Sequence, residues 1–119
     1  MEYLKYIIFV LVILLIISRM LPTKGVRQIS TLELKKELTN KNKQFIDVRT
    51  PGEFHSRNIR GFNNIPLQQL AQKANELSKD KEVIVICQSG MRSNKASKLL
   101  KTLGFKNVTN VKGGMNAWS

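Results

Sequence analysis

Four consecutive β-branched residues, Val83-Ile84-Val85-Ile86, followed at once by Cys87, constrain this chain more than any other feature. A run this short and without polar alternation does not fit a strand with one wet face. It fits a strand buried on both sides, as in a parallel sheet covered by helices. The flanking segments carry the helical period such a sheet needs. Pro66 suits the first turn of a helix, and Leu67, Leu70, Ala71, Ala74 and Leu77 then recur at helical spacing. Downstream, a helix is expected from near Arg92, with Ala96, Leu99, Leu100 and Leu103 facing inward and Gly104 as its stop. Phe45, Ile46 and Val48 predict a short strand ending at Asp47-Val48-Arg49, and Val108 to Val111 predict another. A helix is also expected to start at Ser30. Ser30 and Glu33 match a capping box there, and Ile29 with Leu34 a hydrophobic staple. Thr50-Pro51-Gly52 reads as a turn, and Glu53 to Asn64 as a polar loop pinned by Phe54, Ile59 and Phe62. Gly113-Gly114 turns the chain, and Met115 to Trp118 start a last helix. Strands alternating with helices predict an α/β domain with a mainly parallel central sheet flanked by helices.

The N-terminal part reads differently. Tyr6 to Ile17 is unbroken apolar sequence between Lys5 and Arg19. With Leu4, Ser18, Met20 and Leu21 added, and both cations snorkelling, it approaches the ~20 residues of a bilayer span. No small-x-small cleavage site follows, so an uncleaved anchor is expected rather than a signal peptide. The predicted division is a transmembrane helix over residues 1–22, a linker over 23–27 and a folded domain over 28–119. Arg19, Lys24 and Arg27 after the run predict a single-pass protein with its catalytic domain in the cytoplasm. The formal net charge is +12, but the lysines are scattered and the aromatics form no stacking platform. A solvated basic surface is therefore expected, with no specific nucleic-acid binding. One cysteine and one histidine exclude an intramolecular disulfide and a metal shell, and no cofactor is expected.

Cys87 falls at the carboxyl end of the most buried strand, where open α/β sheets bind ligands. Gln88-Ser89-Gly90-Met91-Arg92 then leads into a helix N-terminus, whose free N–H groups and dipole favour an anion. Gly90 lets the backbone curl into a nest, and Arg92 adds a positive charge. Such a cradle stabilises a thiolate. The plainer reading is a small buried hydrophobe.

Cys87-Gln88-Ser89-Gly90-Met91-Arg92-Ser93 resembles the active-site loop of rhodanese-type sulfurtransferases. Asp47-Val48-Arg49 with Glu53-Phe54, Ile65-Pro66-Leu67, and Gly113-Gly114-Met115 with Trp118 resemble further motifs of that family, in the same order. The resemblance implies a compact α/β fold and a Cys87 persulfide that carries sulfane sulfur from a donor such as thiosulfate to a thiol acceptor, small or on a protein. It implies Gln88, Ser89, Gly90, Met91 and Arg92 as the substrate cradle and Asp47 and Arg49 as supporting groups. Arg49 with Glu53 reads as a structural ion pair. The family's usual Gly-His is replaced by Arg57-Asn58, and His55 matches no motif position. Two other functions compete. One is a non-catalytic binding or regulatory module at the membrane. The other is a cysteine-dependent phosphatase or arsenate reductase, whose loop would hold five residues between cysteine and arginine where this chain has four.

Overall fold

The computed structural model of the protein describes residues 2–20 and 24–119, the side chains at 19 and 20 aside. The chain opens with helix α1, Glu2–Met20. Its side chains from Tyr3 to Ile17 are exposed all round. Among the described residues no helix is long and apolar enough to cross a membrane, which corrects the expectation of a transmembrane anchor. The reason is length. Lys5 on one side and Ser18-Arg19 on the other confine the uninterrupted apolar stretch to Tyr6–Ile17, about 18 Å at ~1.5 Å per residue against a hydrocarbon core of ~30 Å. The expected end of the anchor at Pro22 and the start of the linker lie outside the described residues.

Strand β1 (Arg27–Ile29) follows, a strand the sequence reading did not anticipate because only Ile29 of its three residues is apolar. Helix α2 (Thr31–Glu37) starts at Ser30 as expected. The Ser30 hydroxyl accepts from the Glu33 N–H at 3.1 Å, and the Ser30 N–H donates to the Glu33 carboxylate at 3.2 Å. Strand β2 is Gln44–Asp47.

The segment after β2 departs from expectation. Thr50-Pro51-Gly52 is no isolated turn, and the following stretch is no loop. Residues Pro51–Ser56 form helix α3, and Asn63–Asn64 form the short strand β3. Thr50 and Glu53 make a second capping box, with Pro51 in the first turn, where its missing N–H costs nothing. Helix α4 (Leu67–Lys73) has Pro66 as its N-cap rather than inside its first turn, and it closes in a 3₁₀ turn, Ala74–Glu76. Then come β4 (Val83–Ile86), helix α5 (Met91–Thr102), β5 (Val108–Val111) and a 3₁₀ turn, Gly114–Ala117, in place of a last α-helix.

Among the described residues all four ladders are parallel, in the order β1-β5-β4-β2-β3. β4 is central, and every one of its residues is fully buried, as its sequence requires. Its alternation splits the core. Val83 and Val85 pack with Leu70 of α4 and Ala96 and Leu100 of α5. Ile84 and Ile86 pack on the other face with Leu34 of α2, Ile59, Phe62 and Met115. Both faces of the sheet are thus covered, and β4 delivers Cys87 to its carboxyl end. At the opposite end Arg27 bridges Glu37 and Glu82 at 2.6 and 2.7 Å, tying the edge strand β1 to α2 and to the entry of β4.

Candidate active site

The Cys87 side chain is fully buried. Its Sγ accepts the Gly90 N–H at 2.9 Å and donates to the Ser93 hydroxyl oxygen at 3.3 Å. The Ser93 hydroxyl in turn donates to the Gly90 carbonyl at 3.1 Å. The thiol therefore sits in a short polar circuit built by one turn of chain. Gly90 makes that turn possible. Its φ of +105° is a left-handed conformation that a side chain resists, and it serves as the N-cap of α5. Met91 and Arg92, expected in the loop, are already the first two residues of that helix.

The C-terminal turn clasps the strand exit. Met115 N–H donates to the Cys87 carbonyl at 2.8 Å, and Asn116 N–H donates to the Gln88 carbonyl at 2.9 Å. The approach is so close that a Cβ on Gly114 would lie 2.2 Å from the Cys87 carbonyl oxygen. Glycine is needed there for space and for its φ of +54°.

Two arginines reach the loop, each already held by a carboxylate. Arg49 is buried and paired with buried Asp47 at 2.8 Å, not with Glu53. It donates to the Glu53 backbone carbonyl at 3.2 Å and to the Gln88 side-chain oxygen at 3.3 Å. The Glu53 carboxylate instead grips Arg92 through two hydrogen bonds of 2.6 and 2.9 Å. The expected Arg49–Glu53 ion pair is thus replaced by two others. The swap follows from α3, which fixes Glu53 at its third position and turns the carboxylate towards α5. Those bonds from Arg92 are the largest cause holding the Glu53 carboxyl down at about 2. Burial works the other way, and the Thr50 N–H and hydroxyl add to the depression. Arg92 is correspondingly raised, first by its Glu53 hydrogen bonds and less by the nearby charges of Cys87 and Asp47.

The arrangement is a buried thiol at the mouth of a helix, with backbone and hydroxyl groups on its sulfur and two neutralised arginines around it. A family model described as the rhodanese-like domain matches residues 30–119, three quarters of the chain. The chain belongs to the rhodanese-like family. It is 45% identical over 75 residues to the uncharacterized protein YqhL of Bacillus subtilis, a match covering 63% of this chain and 60% of YqhL. It is 34% identical over 74 residues to a protein of Allochromatium vinosum named sulfurtransferase, covering 62% of this chain and 69% of that one. The crystal structure of a rhodanese-like domain protein from Staphylococcus aureus superposes with a TM-score of 0.73 at 34% identity, covering 79% of this chain and 92% of that one. The chain thus spans about 60% of the length of YqhL, and the family includes proteins named sulfurtransferases.

Within this rhodanese-like site, three residues carry contacts that the sequence reading left without a role. Ser93 was legible as part of the loop motif, but its contact with Sγ depends on the helical turn. Asn116 accepts from the Gln88 side-chain nitrogen at 2.6 Å across the two segments. Arg57, which stands where the family usually has glycine, donates to the Trp118 carbonyl at 2.6 Å and to the Met115 carbonyl at 3.4 Å. That departure thus fastens the end of α3 to the C-terminal turn. His55 is exposed and contacts Phe54 edge-on. Among the described residues no cluster of three potential metal ligands occurs.

Proposed function

We propose that residues 28–119 form a sulfurtransferase unit in which Cys87 takes a sulfane sulfur from a donor such as thiosulfate, holds it as a persulfide and passes it to a thiophilic acceptor. The observation that carries this reading is the polar circuit on Sγ at the start of α5: the Gly90 N–H at 2.9 Å and the Ser93 hydroxyl at 3.3 Å. As the thiol ionises, the Ser93 hydroxyl can turn from the Gly90 carbonyl and donate to Sγ, so the thiolate gains a donor as it forms. The thiolate attacks the outer sulfur of the donor, the donor's S–S bond breaks, and its electron pair leaves with the departing sulfur species. The same N–H group and helix terminus stabilise the charge on the terminal sulfur of the persulfide. The chain has no second cysteine, so a thiol acceptor belongs to another molecule. Gln88, Ser89, Gly90, Met91 and Arg92 frame the substrate, with Asp47 and Arg49 holding Gln88 in place.

The full burial of Sγ favours a second reading, a closed module that binds a partner without turnover. One experiment separates the two. Incubation with thiosulfate and then cyanide is expected to add one sulfur atom to the intact mass and then release thiocyanate. Cys87→Ser is expected to do neither, because serine supplies no thiolate. A wild-type chain that gains no sulfur from any sulfane donor leaves the binding-module reading in place. A Cys87→Ser variant that still transfers sulfur sinks the nucleophile assignment. A phosphatase reading fares worse, since a four-residue loop with its arginine held by Glu53 offers a small, already neutral cradle.

A further inference from the structure

The charges around Cys87 bear on which sulfur donor the site accepts, a question that rests on the sulfur-transfer reading above. Two arginines and two carboxylates surround the loop, and they cancel. Arg49 is matched by Asp47 at 2.8 Å, and Arg92 by Glu53 at 2.6 Å. The Arg49–Asp47 pair is buried, so solvent does little to screen it. Arg57 is engaged by the Met115 and Trp118 carbonyls. Among the described residues the backbone donor on the sulfur itself is the Gly90 N–H. A thiolate attacking thiosulfate brings three negative charges together, one on Cys87 and two on the donor. Among the described residues the Gly90 N–H, the Ser93 hydroxyl and the helix terminus are left to meet them, and none of these carries a full charge. A hydropersulfide, R–S–S–H, brings one.

We propose that Glu53, by holding Arg92, is a specificity-determining residue that selects against dianionic donors and for hydropersulfides as the sulfur source. The step balances. The Cys87 thiolate attacks the terminal sulfur of R–S–S–H, a Cys87 S–S bond forms and the donor's S–S bond breaks. The electron pair and negative charge leave as R–S⁻, which takes a proton from water. No oxidant or reductant is consumed. With thiosulfate the same step expels sulfite, a dianion that must form beside the Glu53 carboxylate.

Glu53 also caps α3, so the choice of variant matters. Gln serves at the third position of a capping box. Glu53→Gln therefore removes the charge and keeps the cap. The measurement is the second-order rate of Cys87 persulfidation, read by intact mass in single turnover. Thiosulfate and cysteine hydropersulfide are the donors, each rate divided by that of the same donor with free cysteine. In the wild type the normalised rate is expected to be at least about tenfold higher for the hydropersulfide. Glu53→Gln is expected to raise the thiosulfate rate roughly tenfold and to move the hydropersulfide rate less than about threefold. A merely structural role for Glu53 would slow both donors alike. Equal normalised rates in the wild type, a measurement that needs no variant, overturn the inference. An unchanged donor ratio in Glu53→Gln overturns it too. If neither donor loads Cys87 in the wild type, the sulfur-transfer reading itself falls, an outcome distinct from the other two.

Discussion

Gly114→Ala is a test of how the site is held together, because its cost can be worked from two separate features. The φ of +54° places an alanine in the left-handed region, which costs about 1–2 kcal/mol. The new Cβ would sit 2.2 Å from the Cys87 carbonyl oxygen and 2.9 Å from the Gln88 carbonyl carbon and oxygen. These are backbone atoms at the end of the central strand and cannot swing aside, so the turn must back away. Its hydrogen bonds to Cys87 and Gln88, 2.8 and 2.9 Å long, then lengthen or break, at about 0.5–1.5 kcal/mol each. The sum is about 2–5 kcal/mol, a large share of the ~5–15 kcal/mol that holds a domain folded. Urea denaturation of the variant is the assay. The control is Gly52→Ala, where an added Cβ meets nothing within 4 Å and helix propensity favours alanine by up to about 1 kcal/mol. Gly52→Ala is expected to hold or raise the midpoint, and Gly114→Ala to lower it and slow sulfur transfer. A Gly114→Ala domain within ~1 kcal/mol of wild type would refute the close-approach argument.

Asp47→Asn strips the counter-charge from Arg49, whose side chain is 2% exposed. A loss of about 3–5 kcal/mol is expected in thermal or urea unfolding, and Arg49→Met on that background should recover part of it. A double variant no better than Asp47→Asn would mean the buried charge is not the problem. Glu53 gives a pH signature. Its folded value of about 2 lies below the ordinary 4.5, so its contribution is complete above the ordinary value and is lost as pH falls towards the folded one. Because the two side chains are 35% and 32% exposed, solvent screening trims the effect to about 1 kcal/mol. Urea midpoints measured at pH ~6 and ~3 should therefore converge between wild type and Glu53→Gln. A constant gap would speak against the ion pair.

The strands that carry the site were legible because their sequences are strongly biased. The Val83–Ile86 run allowed little but a central parallel strand, and Cys87 after it fell where ligands bind in such sheets. α2 was legible from its capping box. The same motif recurs at Thr50 and Glu53, yet the apolar periodicity that marks a buried helix is missing over Pro51–Ser56, which buries no residue fully. α3 therefore went unread, and the destination of the Glu53 carboxylate with it, since the Glu53–Arg92 pair is set by how α3 and α5 face each other. β1 and β3 were missed for a related reason. They are two or three residues long and polar, and their pairing comes from neighbouring strands rather than from their own composition. The apolar run at the N-terminus did form a helix, but its length was overread when flanking charged residues were counted into the span.

The strand order has a consequence for incomplete chains. Among the described residues β5 alone joins β4 to β1, and Arg27 meets Thr109 across 82 residues of sequence. Any fragment that stops before Val108 leaves one long edge of Val83–Ile86 unpaired: four β-branched residues with open N–H and C=O groups and no charge to guard them. Such an edge is a template for another strand. Premature termination or proteolysis upstream of β5 therefore yields more than an inactive piece. It exposes an apolar, unguarded strand edge, and aggregates seeded by β4 are the expected fate of that fragment.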